Sequence, residues 1–309
     1  MQLDLFSDNY RIILLNDADK MLCTLELKQA LLLYEGLLND APDDASLLVL
    51  INTVASWHDR LSRFHAEPAG INELADLWQN LLPVTPPPLA SALHELLIER
   101  LSKLPSPEMI YIPPRFHLGT IMMAASNFAE AEQCFAMALK EGINVRARFL
   151  AWQGDALTML GETIRARNVY CEAFLEGPHE IDMEGLRSPM IHDLLFSLES
   201  ANDESDEMDL LAWMPVWGWF GGEFGLRINE IAVAPEIFRA YLEETGPDGV
   251  LSVPRLWFNL LRYAEYLRTV SQGGRELVRI RRWMKQLNGF MFDLYMQKIR
   301  NPELLKMIS

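Results

Sequence analysis

The sequence predicts an all-α fold, an array of antiparallel helix pairs followed by a non-repeating helical C-terminal part. Three observations carry this. A pattern of small and aromatic residues recurs at a fixed offset of 35 in the middle of the chain. Most other apolar stretches follow helical spacing, and few segments alternate as strands do. Half of the 309 residues are hydrophobic, yet no apolar run approaches the ~18 residues of a membrane span.

The offset is exact at four positions. Gly119, Ala131, Phe135 and Ala138 are followed 35 residues later by Gly154, Ala166, Tyr170 and Ala173. Small residues at the first two places allow two helices to approach closely. The aromatic residue one turn beyond is expected to fill the gap to the neighbouring helix. "SNFAEAE" and "GETIRAR" supply polar turns between helices, and Pro178 stops the last one. The same template opens the chain, with Ala18 and Met21, then Leu27, Ala30, Tyr34, Leu37 and Pro42. Ala30 precedes Ala131 by 101 residues, room for three units of 34, so two degenerate pairs are expected in 45–111. "VTPPPLA" and "LPSPEMIYIPP" break that interval.

This pattern resembles the tetratricopeptide repeat. The resemblance implies a right-handed superhelical array over residues 9–178, whose first helices line a peptide-binding groove. The corresponding positions include Arg148, Trp152 and Asp155. The set of Lys, Arg and Asn with which some members hold a peptide's terminal carboxylate is missing from those faces.

Beyond Pro178 the repeat fades. A helix is expected from Ser188, with Pro189 in its first turn, and an acidic loop at 202–209. "AWMPVWGWFGGEFG" reads as an aromatic, glycine-rich loop. Its Trp213, Trp217 and Trp219 have two readings, an exposed interface or a plug closing the helical array. Helices follow at 234–246, 254–270 and 275–300, the last basic along one side.

Charge is uneven. The chain carries a net −16, but 179–254 holds 3 Lys/Arg against 16 Asp/Glu, while 255–309 holds 11 against 4. An acidic body disfavours nucleic acid, and the helix at 275–300 is the one place expected to attract it, through Arg275, Arg279, Arg282 and Lys285. The alternative is that this stripe faces the chain's own carboxylates.

Catalytic and metal patterns do not emerge. The three cysteines are far apart, no histidine pair has helical ligand spacing, and neither a nucleophile elbow nor a phosphate-binding loop is present. No cofactor is expected. The N-terminus lacks the basic and apolar regions of a signal peptide, so a cytoplasmic chain without membrane contact is expected.

The first residues, Gln2-Leu3-Asp4-Leu5-Phe6, resemble the bacterial sliding-clamp-binding motif, Gln-Leu-(Ser/Asp)-Leu-Phe. The resemblance implies that Leu5 and Phe6 anchor in an apolar pocket of the clamp and that Gln2 makes polar contacts. Leu3 and Asp4 would support them. The competing reading makes residues 1–8 a cap: Ser7 or Asp8 starts the first helix and Phe6 folds back on it. Two functions therefore stand: a non-enzymatic scaffold binding another protein or peptide, or a replication or repair accessory recruited by the clamp.

Overall fold

A computed structural model describes residues 5–64, 70–81, 85–201, 209–244, 252–270 and 274–301. The fold is all-α. The chain divides into two compact units, residues 1–137 and 138–309. The division falls at 137/138, not at Pro178 where the repeat pattern ends.

In the first unit α1 (Leu5–Cys23) and α2 (Leu27–Asp40) form an antiparallel pair, and α3 (Ala45–Phe64) packs on α2. After α4 (Ile71–Gln79), α5 (Pro87–Ser102) returns to pack on α1 and on α6 (Leu118–Ala124). Among the described residues, 45–111 thus holds three α-helices and a 3₁₀ turn at Pro107–Met109, not the four helices of two further pairs. The proline-rich break is a short antiparallel ribbon, β1 (Tyr111–Ile112) with β2 (Phe116–His117), joined through a cis Pro113–Pro114 bond. α7 (Phe128–Lys140) follows α6 through a tight turn and crosses the boundary between the units.

The second unit starts with the pair α8 (Arg146–Met159) and α9 (Thr163–Glu176), which ends just before Pro178. Two single 3₁₀ turns lead to α10 (Pro189–Ala201). Then come α11 (Leu210–Gly221), α12 (Ile228–Val233), α13 (Pro235–Glu244), α14 (Val253–Thr269), α15 (Gly274–Leu287) and α16 (Gly289–Arg300). α11 packs on α9, α10 and α14, and α14 also carries α12, α13 and α15.

The 35-residue offset has a direct structural cause. A Cβ on Gly119 would lie 2.4 Å from the Phe135 ring, and one on Gly154 would lie 2.6 Å from the Tyr170 ring. Each aromatic ring therefore occupies the space a side chain would need. The ring fills the gap inside its own pair, which corrects the expectation that it reaches the next helix. The equivalent places in the first pair, Ala18 and Tyr34, are fully buried.

The turns repeat too. Leu25, Ser126 and Gly161 all have left-handed backbones, with φ of 59°, 65° and 75°. In each case the next residue's N–H closes back on the preceding helix: Glu26 to Met21, Asn127 to Met122 and Glu162 to Leu157. This is the Schellman stop, which glycine adopts without steric cost.

Hydroxyls separate the pairs chemically. Tyr34 donates to Asp19 (3.4 Å) and Tyr170 to Asp155 (2.5 Å), both fifteen residues earlier. Phe135 has no hydroxyl, and the matching Thr120 bonds instead to the carbonyls of Arg115 and His117.

Candidate ligand cleft

α9 has two faces. Ala166, Tyr170 and Ala173 pack inward, while Cys171 and Leu175, with Glu172 and Glu176 beside them, look into a cleft of about 610 Å³. These positions fall on one side of a helix because residues three and four apart are neighbours there. α14 supplies the facing wall by the same spacing, through Arg255, Phe258, Asn259 and Arg262. α13 closes the third side with Ile237, Phe238 and Tyr241.

The floor is apolar and chemically quiet. Cys171 is buried, and that burial pushes its thiol up to about 12, so it carries no thiolate at neutral pH. Phe258 is buried and Phe238 and Leu175 half-buried, while Ile237, on the same lining, is 73% exposed. The apolar lining thus reaches the cleft mouth.

Two of the three arginines are committed. Arg262 donates to the Leu226 carbonyl (2.8 Å) and to Glu230 (2.8 Å), with its guanidinium 5.5 Å over the Phe238 ring. Arg227 lies 3.6 Å from Glu172 and 3.7 Å from Glu230. Glu176 is 3.9 Å from Arg146 on α8. Arg255, half-buried, makes no ion pair or hydrogen bond among the described residues. One turn along, Asn259 is 9% exposed, and its amide also has no partner among them.

Most sequence-predicted site residues lie elsewhere. Arg148 is half-buried and donates from Nε to the Glu180 carbonyl (2.9 Å), and Trp152 is buried with its ring 5.2 Å from Phe149. Asp155 is buried and accepts from the Tyr170 hydroxyl and from the Arg187 N–H (3.0 Å), tying the segment before α10 to the helix pair. Burial raises its carboxyl to about 6, against these hydrogen bonds, which act in the opposite direction. The expected open groove at Arg148, Trp152 and Asp155 is therefore corrected to a packed face.

The aromatic loop is helix α11. Trp213 and Trp217 are buried: Trp213 meets Trp257 edge-on at 5.9 Å, and Trp217 Nε1 donates to Ser197 Oγ (2.7 Å). Their rings form core and are not an exposed interface. Trp219 is half-buried beside Tyr295, with the Lys298 ammonium 5.1 Å over its ring. Asp209, placed by sequence in the acidic loop, caps α11 by accepting from the Ala212 N–H (3.3 Å), while 202–208 lie outside the described residues.

The basic stripe sits on α15, which stops at Leu287. Asn288 then caps α16 by accepting from the Met291 N–H (2.9 Å), so 275–300 is two helices, not one. Arg279 pairs with Glu243 (3.0 Å) and Glu276 (3.1 Å). Arg275, Arg282 and Lys285 are exposed without an ion pair among the described residues, so self-neutralisation accounts for Arg279 alone within the predicted set.

At the N-terminus, Gln2, Leu3 and Asp4 lie outside the described residues, as do the side chains of Leu5 and Phe6. The backbone is helical from Leu5, which puts Ser7 and Asp8 in the first turn and not at the cap. Among the described residues, no cluster of three His, Cys, Asp or Glu could hold a metal, and no helix is long and apolar enough to cross a membrane.

The cleft escaped the sequence because its walls come from α9, α13 and α14, and only α9 belongs to a repeat. The half-polar stripe of Asn168, Cys171, Glu172 and Leu175 was the one available signal. No protein-family model matches the chain, and neither a curated protein nor a solved structure does.

Proposed function

We propose that this chain is a non-enzymatic protein-interaction scaffold with tetratricopeptide-like helix pairs, and that its binding site is the cleft between α9, α13 and α14. The glycine–aromatic packing and the recurrent Schellman turns support the kinship of the pairs. The observation that carries the binding reading is that the apolar cleft is edged by Ile237, a large apolar residue left 73% exposed. Exposed apolar surface joined to a concave site is costly for an isolated chain and favours burial against a partner. The inert Cys171 thiol on the floor fits binding better than covalent chemistry.

Replacing Ile237 by Ser removes this apolar edge with little effect on stability, since the side chain is largely exposed. Affinity capture from the native host is expected to retain a discrete protein on the wild type and to lose it on the variant. Equal recovery on both would place the contact elsewhere.

A further inference from the structure

The polar side of the cleft narrows what it can hold. Around it stand three arginines, Arg227, Arg255 and Arg262, and three glutamates, Glu172, Glu176 and Glu230. The charges cancel in number but not in place. Glu172 and Glu230 are engaged by Arg227 and Arg262, and Glu176 is within ion-pair distance of Arg146 on α8. Arg255 is the arginine left over.

Asn259 is the second observation and stands independently of charge. It is nine-tenths buried, it lines the cleft, and neither its carbonyl nor its amide hydrogens are used among the described residues. The side-chain amide is not sealed from solvent: it opens onto the cleft, where a ligand can replace the water it meets. A side-chain amide offers one acceptor and two donors, which complements the C=O and N–H of a peptide backbone. Arg255, one turn away on the same face, offers a forked donor that complements a carboxylate.

Resting on the reading of this cleft as a binding site, we infer that it takes an extended peptide in which a large apolar side chain lies close to an Asp or Glu. The apolar side chain fills the floor at Leu175, Phe238 and Phe258, Asn259 pairs with the peptide backbone, and Arg255 pairs with the acidic side chain. The exposed Ile237 at the cleft edge covers a flanking apolar residue of the same peptide, a surface that a small carboxylate would leave bare.

The test is selection of random displayed peptides on the full chain, followed by titration of the strongest one. The expected result is enrichment of apolar residues next to Asp or Glu. Arg255→Glu should weaken the selected peptide about tenfold or more, and changing the peptide's acidic residue to Lys should restore binding to that variant. Asn259→Leu should weaken binding similarly while leaving thermal stability equal to or above that of the wild type. A purely structural asparagine would lower it.

Peptides that lose binding on Ile237→Ser but show no acidic preference, and ignore Arg255→Glu, would overturn this inference and leave the cleft as the binding site. Peptides indifferent to Ile237→Ser as well, or no enrichment at all, would overturn both.

Discussion

Gly154→Ala is expected to destabilise the second unit by about 2 kcal/mol, although alanine is the better helix former. On an exposed helix the exchange would stabilise by roughly 1 kcal/mol. Here the new methyl group would lie 2.6–2.8 Å from three carbons of the Tyr170 ring, well inside contact distance. The ring has little freedom to retreat: it is fully buried, and its hydroxyl is bonded to Asp155, which is itself held by the Arg187 N–H. Overpacking of this kind typically costs about 1–3 kcal/mol, and with a pinned ring the upper part of that range outweighs the propensity gain. In a Tyr170→Ala background the obstacle is gone, so the same substitution should change sign and stabilise by up to ~1 kcal/mol. Urea unfolding of the four proteins measures this directly. An equal effect of Gly154→Ala in both backgrounds would mean that the close approach does not govern the position.

His117 alone is expected to cost the first unit about 3 kcal/mol of stability between neutral pH and pH 4. His117 is fully buried, donates from Nε2 to the Glu108 carbonyl (2.8 Å), and accepts the Gly119 N–H at Nδ1 (3.0 Å). It caps α6 as a neutral ring and stacks on Phe135 at 5.5 Å. Burial lowers its pKa from 6.5 to about 4, against the Glu108 hydrogen bond. Between those values the unfolded chain binds a proton that the folded one does not. The contribution is therefore complete above 6.5 and is lost as pH falls through the window toward 4.

Asp155 behaves oppositely in the second unit. Its carboxyl rises from 3.8 to about 6, so the folded state binds the extra proton there and gains stability as pH falls through 6. Segment-resolved hydrogen exchange at pH 7 and pH 4.5, corrected for intrinsic rates, should show protection falling around α6 and not around α8 and α9. A His117 ring that titrates near 6.5 would contradict the assignment.

The helix pairs were legible because their packing depends on a steric match fixed in sequence: a small residue, and an aromatic one sixteen positions later. Gly161 also announced its turn. Leu25 and Ser126 did not, since neither residue type signals a left-handed backbone, although both hold one. The aromatic run at α11 was misread as a loop for a physical reason. A helix buried on nearly all sides has no polar face, so the amphipathic period that identifies helices is missing. Gly218 reflects close packing, since a Cβ there would lie 2.3 Å from the Phe224 ring, and only Gly222, with φ of 82°, makes the turn that ends the helix. Asp155 looked like a groove residue because a carboxylate on a first helix is normally exposed. Its burial depends on the Arg187 N–H from 32 residues away, which no local pattern reveals.

The most direct test of the binding site is site-specific photo-crosslinking in the native host, with a photoreactive residue at Ile237 on the cleft or at Ile164 as control. Both positions are exposed, 73% and 78%, but only Ile237 lines the cleft. A discrete crosslinked species is expected from Ile237, lost when Arg255→Glu is added, and none from Ile164. The same species from both positions, or none from Ile237, would contradict it.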